Sequence, residues 1–469
     1  MKRIIVASTM LLTCLLSYAG GLMTNTNFHI AFARMMARGA SSEVDAVYHN
    51  PAGLVWGHEG WQLSFNSQTA IQDRDIDVFM PATRDAGGGT MVPNCFFNGG
   101  ADYKANFEGQ AVAPVVPAIF ATYHKDNWAV GAMLGVTGGG GKATFSDGLP
   151  MFNVPINQLL YYRTGGALTP DKYDLDSHLK GRQFVYSGQM NFNYRILPWL
   201  SASAGLRVSY FDASYRGHVV ASLDPAVAAA MGLPAELVNV QLDCKQHAWG
   251  VNPIVGIDIH TGKLTLAAKY EFRTKFNVPN DTKELSATVV GMTPEEINGL
   301  LGARLANFAD GVKTRNDMPA MLAVAAGYEF TPKLRATVEY HFFDDLHAKM
   351  VGDKQKALRH GTYELLASAE YDINDKFTVS AGAQRTDYGL SDGFQQETHF
   401  SCDSYSIGLG AAVNLNENLR LNLGYFWTTY EDYKQDGIET VQGKPEMGVR
   451  TNTYSRSNNV IGVGIDYKF

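Results

Sequence analysis

Asp73, Asp75 and Asp77 stand at alternate positions, the nearest the chain comes to a metal-ligand pattern. Oxygen donors at that spacing suit calcium, but the glycine and distal glutamate of an EF-hand loop are missing, so the run reads as a solvated acidic loop. The twelve histidines form no HExxH pattern, and there is neither a Gly-x-Ser-x-Gly elbow nor a phosphate-binding glycine loop. Cys95, Cys244 and Cys402 are far apart and in no metal spacing. One disulfide among loops stays open beside the simpler reading, inert thiols. No catalytic residue, metal or cofactor is expected. The residue types point away from bond-making chemistry and toward whatever the scaffold encloses.

The scaffold begins with a signal peptide over residues 1–19. Lys2 and Arg3 supply its charge, residues 4–16 its apolar run, and Ser17-Tyr18-Ala19 its cleavage site. The chain is therefore expected in the outer membrane of a Gram-negative cell, since no later stretch approaches the ~18 apolar residues of a spanning helix. Net charge is −7 and charged residues make up 18%, with 47 glycines and 11% aromatics. That balance excludes a nucleic-acid partner and suits a lipid-facing barrel.

From residue 61 onward, segments alternate with period two. Leu264, Leu266, Ala268, Tyr270 and Phe272 take one face while Lys269, Glu271 and Arg273 take the other. Residues 184–195, 334–342 and 419–427 repeat the pattern. Short turns fall at 125–127, 197–199, 260–262, 331–333, 374–375 and 416–418. Longer connections fall near 70–107, 140–180, 220–245, 277–317, 351–358, 388–399 and 431–452. Six turns and seven long loops imply an all-β fold, a fourteen-stranded antiparallel transmembrane barrel over 61–469, with both barrel ends periplasmic. The terminal Phe469 on an alternating strand is similar to the signal that barrel-assembly machinery reads.

Two of the long loops, 220–245 and 277–317, are expected to be partly helical. Thr293-Pro294-Glu295-Glu296 is a capping box, followed by an apolar stripe of Ile297, Leu300, Leu301, Leu305 and Phe308. Asp224-Pro225 opens the other helix. The stripe either packs the barrel mouth or receives an apolar ligand.

Residues 20–60 lie between the signal and the first strand and are apolar and Gly/Ala-rich. They are expected to fold back into the barrel as a hatch. They end in Asn50-Pro51-Ala52-Gly53, preceded by Ala37-Arg38-Gly39-Ala40. With the strand count and Phe469, this resembles the FadL/TodX family of outer-membrane transporters for hydrophobic compounds. The resemblance implies a monomer that passively carries long-chain fatty acids or similar molecules. Its route would run from extracellular loops to a lumen pocket, past a movable hatch, with lateral or periplasmic release. Its hatch motif would be Asn50, Pro51 and Ala52, and outer-membrane lipid and lipopolysaccharide would surround it.

On that reading the apolar hatch residues Leu22, Met23, Phe28, Ile30, Phe32, Met35 and Met36 are ligand-contact candidates, with Leu300, Leu301, Leu305 and Phe308 in the loop. A carboxylate head would want a cation, and Arg207, Lys269, Arg273 and Arg335 share the lumen phase. A lateral gap is expected between the second and third strands. Pro114 and Pro117 cannot donate to a ladder there, and Gly138 to Gly141 follow as either a kink or a plain loop. The competing readings are a porin-like channel for small solutes and an outer-membrane hydrolase or adhesin acting through its loops.

Overall fold

The computed structural model describes residues 28–297, 306–440 and 445–469, with the side chains of 140 and 141 left aside. The signal segment 1–19, Leu22, Met23, Leu300, Leu301 and Leu305 lie outside the described residues. Fourteen strands close into one antiparallel barrel. They are β1 (Gly60–Met80), β2 (Tyr103–Lys125), β3 (Trp128–Phe145), β4 (Asp174–Leu197), β5 (Leu200–Ser222) and β6 (Glu236–Thr261). β7 is interrupted (Leu264–Glu271 and Asn277–Val289), as is β8 (Lys313–Arg315 and Met321–Thr331). β9 (Leu334–Phe343), β10 (Tyr363–Asp372), β11 (Phe377–Asp387) and β12 (Ser404–Asn414) follow. β13 (Leu419–Tyr430 and Tyr433–Glu439) and β14 (Val449–Lys468) complete the wall. β14 pairs back onto β1 from Gln62↔Lys468 to Phe79↔Thr451, which leaves no edge strand.

All six short turns fall where turn-forming residues predict them. The long connections are shorter than the sequence suggests, because several strands continue well above the lipid layer. Lipid-facing side chains are apolar low on the wall, as at Phe65, Ile71, Ile461 and Val463, all exposed. On β1 the alternation then inverts. Asp73, Asp75 and Asp77 turn outward while Ile76, Val78 and Met80 are buried inside. The acidic triplet is therefore strand rather than loop, a correction to the sequence reading. The ladder persists past the hydrocarbon, but the apolar face has changed sides.

Among the described residues no helix is long and apolar enough to cross a membrane. The α-helices that lie wholly within the described residues are α1 (Ile30–Arg34), α2 (Ala46–His49), α3 (Pro150–Arg163) and α4 (Pro225–Met231). α4 starts on Asp224, whose carboxylate accepts from Ala226 N at 2.8 Å, and stops at Gly232 in the left-handed region. The capping box is formed: Thr293 N donates to Glu296 at 2.9 Å and Glu296 N to Thr293 Oγ1 at 3.2 Å.

Candidate functional site

Residues 28–55 are almost entirely buried inside the lower barrel. His29 Nε2 reaches Ser64 and Asp466 at 3.0 and 3.1 Å, and Ile30 N donates to Asn66 at 3.0 Å. Ala37 N donates to Ser368 at 2.8 Å and Gly39 N to Glu339 at 2.8 Å. The Asn50-Pro51-Ala52 stretch meets the opposite wall. Asn50 Nδ2 donates to Asp258 at 2.6 Å, and Ala52 O accepts from Ser201 at 2.7 Å. The plug is thus strapped around the circumference by polar contacts, which satisfy its irregular backbone at membrane depth.

Inside the plug, Arg38 closes a loop onto itself. It donates to Asp45 at 2.6 and 2.8 Å, to Glu43 at 2.6 Å and to Ser41 at 2.9 Å. Glu43 then pairs with Arg420 of the wall at 2.6 Å. The wall makes room for this segment with glycine. A Cβ on Gly408 would come within 2.6 Å of Ala33 O, and one on Gly462 within 2.2 Å of Ile30 Cδ1.

The ligand-contact candidates that can be placed all lie against protein. Phe32 and Met36 pack with Leu366, Phe426 and Val460. Phe28 packs edge-on to Tyr48 at 4.6 Å, Met35 accepts from Arg38, and Ile30 is fully buried. Phe308 is buried in the apolar cluster beneath the extracellular loops.

The four candidate lumen cations are each engaged by a carboxylate of the protein. Arg207 pairs with Glu271 at 2.5 Å, and Lys269 pairs with the same carboxylate at 2.8 Å. Both also sit over the ring of Tyr48, at 4.9 and 4.2 Å, and Lys269 donates to Tyr48 O at 2.6 Å. They clamp the plug. Arg273 lies 3.7 Å from Asp317, and Arg335 joins Glu370 and Asp372.

Above the plug the lumen is filled by α3 and the loops. Phe152, Val154, Ile156, Leu159 and Leu160 of α3 are buried with Ile76, Phe276, Phe308, Phe400 and Tyr454 in one apolar cluster. α3 lies within 140–180, where the sequence pattern predicts only a connection. Its apolar residues run all round the helix rather than along a stripe, and Pro155 interrupts it.

Among the described residues the wall loses its ladder pairs between β6 and β7, from Ile254↔Glu271 to Gln246↔Asn280, and also between β2 and β3. β2 and β3 pair from Lys125↔Trp128 up to Ala118↔Gly135 and again from Ala111↔Ala143 to Gly109↔Phe145, with no pairs between. The unpaired stretch of β2 holds Pro114 and Pro117. That of β3 holds Gly138 to Gly141, which are strand and not loop. β2 stays paired to β1 through a register shift at Gln68/Ala70, and β3 bulges twice against β4. Gly139 has φ +111°, and a Cβ there would lie 2.4 Å from Gln183 O. Just below the break, the lipid-facing side carries an apolar groove of about 600 Å³ lined by Pro117, Ile119, Leu134, Val136, Tyr186 and Trp249. On the inner side, Thr137, Ser187 and Ser209 form a chain of buried hydroxyls at 2.5 and 2.8 Å.

The chain has the fold of the FadL and TodX barrels. A FadL homologue of Pseudomonas aeruginosa superposes with a TM-score of 0.64 at 15% identity, covering 96% of this chain and 100% of that one. The toluene transporter TbuX of Ralstonia pickettii gives 0.54 at 14% identity, covering 95% and 99%. TodX of P. putida gives 0.52 at 14%, covering 92% and 95%. A family model described as an outer membrane protein beta-barrel domain matches residues 296–469. No curated protein matches by sequence.

Among the described residues of this FadL-type barrel, no group of three or more His, Cys, Asp or Glu side chains could hold a metal ion. Cys95, Cys244 and Cys402 are buried free thiols. One loop group is poised to respond to pH. Burial pushes the Asp345 carboxyl up to about 6, against hydrogen bonds from Thr362 that favour its charged form. A carboxyl raised on folding binds its proton more tightly in the folded loop, so stability is highest below the unfolded value and falls as pH rises toward 6. The 344–362 loop is expected to lose about 1.4 kcal/mol between about pH 5 and pH 7.5, read as faster hydrogen exchange. Asp345→Asn should flatten that difference; an unaltered pH profile would count against it.

Proposed function

We propose that the protein is a passive outer-membrane conduit for hydrophobic molecules, long-chain fatty acids or compounds like them. The ligand is caught at the apolar mouth around α3 and held above the plug. It then leaves sideways through the β2–β3 break into the membrane when the plug shifts. The observation that carries this reading is the pairing break opening beside an apolar, lipid-facing groove in a barrel whose bore is filled. A porin-like bore would need a clear water path, and the plug and α3 occupy that space. Each methylene moved out of water contributes ~0.8 kcal/mol, so an apolar pocket captures oily ligands without any covalent step. Named neighbours in the fold include toluene transporters and a FadL homologue, so the size of the ligand is the finer part of this proposal.

The test is saturable uptake of labelled palmitate and toluene by cells that depend on this protein, with single-channel recording of the purified barrel. Uptake with near-silent recordings is the expected result. Large steady ion currents with no apolar uptake would favour the porin reading.

A further inference from the structure

We infer that Arg74 and Arg456 form a carboxylate-recognition site in the lumen that favours apolar acids over neutral hydrocarbons. This rests on the transport reading above and adds its specificity. The two arginines are directly opposed in register on β1 and β14, and both stand on the inner face of the wall. Like charges placed opposite each other in a sheet cost stability, so the pair calls for a counter-charge. Arg74 is buried, and among the described residues its side chain donates from Nε to Gln72 Oε1 at 2.6 Å. Arg456 donates to Phe400 O at 3.3 Å and lies over the Tyr430 ring at 4.7 Å, while its Nε is buried without a partner.

Among the described residues neither arginine is ion-paired with a carboxylate. The other inward cations differ sharply. Arg34 has Glu370, Arg38 has Asp45, Arg207 has Glu271, Arg420 has Glu43 and Arg450 has Glu397. Buried charge without an opposite charge is costly, and a guanidinium fork is shaped to take a carboxylate through two parallel bonds. The local field is positive in another sense too. In the adjoining loop, burial and the Lys354, Arg74 and Arg456 charges hold the His399 imidazole well below its ordinary range.

The height of the pair fits an amphiphile. Along the inner face of β1 the order is Ala70, Gln72, Arg74, Ile76; along β14 it is Val460, Asn458, Arg456, Tyr454. Ala70 and Val460 belong to the plug's apolar cluster, and Ile76 and Tyr454 to the mouth's. A head group at the arginines has apolar wall immediately above it, at Ile76 and Tyr454, and again below it past Gln72 and Asn458, at Ala70 and Val460.

Full-length protein in a non-ionic detergent is titrated calorimetrically with palmitate and with 1-hexadecanol. Wild type should bind palmitate about tenfold or more tighter than the alcohol. Arg74→Gln with Arg456→Gln should abolish that margin by weakening palmitate alone, and Arg74→Lys should keep part of it. The double variant should melt no lower than wild type, since a like-charge opposition has been removed. An unchanged palmitate margin in the double variant overturns the site and leaves the transport reading standing. A double variant that cannot fold assigns the pair a structural role and also overturns it. Wild type that binds neither probe overturns both.

Discussion

Replacing Arg38 by alanine is expected to turn a near-silent barrel into an ion-conducting one. Arg38 is 5% exposed and Asp45 fully buried, and their two-point contact is the inner tie of the plug. Truncating the arginine leaves Asp45 with no cation in a dry setting, a loss typically worth 3–5 kcal/mol. It also frees Glu43, which otherwise bridges Arg38 to Arg420 of the wall. The barrel itself should survive, since its ladders close from β1 through β14 without help from the plug. The damage should therefore be local melting of 38–50, seen as large conductance steps and new protease cleavage in that segment. Arg38→Lys should show an intermediate effect, because lysine keeps the charge but not the fork. A variant as silent as wild type would mean that Arg38 does not hold the plug in place.

The second large effect concerns the break between β2 and β3. Pro114→Val together with Pro117→Val restores two backbone N–H donors to the unpaired stretch of β2. A net gain of about 1–2 kcal/mol of pairing would shrink the open fraction roughly 5- to 30-fold. Palmitate uptake should fall by a similar factor while equilibrium binding to the purified protein is kept. Hydrogen exchange over residues 112–117 should slow in parallel. Undiminished uptake with slowed exchange would send the exit route downward past the plug instead.

Much of the architecture is legible in the residues themselves. The six tight turns and the period-two runs fix the strand count, because a turn needs particular backbone angles and a half-lipid strand needs one oily face. Legibility fails where those pressures lapse. Above the hydrocarbon layer, Asp73, Asp75 and Asp77 can face water on the outside, so the same strand looks like an acidic loop. That error hid Arg74, whose inward aim follows at once from continuing the alternation. α3 went unseen because it is enclosed on all sides and carries no stripe. Strand phase put Arg207, Lys269 and Arg335 in the lumen, but it could not name their partners. Those partners lie on distant strands or, for Tyr48, on the plug. The Asn50-Pro51-Ala52 motif was visible as a turn, whereas its bond to Asp258 is a fact of three dimensions only.

The seam joining the two ends of the wall has a consequence for the order of manufacture. His29 and Ile30 lean on Ser64, Asn66 and Asp466, which belong to the first and last strands. The earliest stretch described in the chain finds its seat only once the latest has arrived. A growing, half-circular sheet lacks that seat, so the docking of His29 and Ile30 waits on closure of the cylinder.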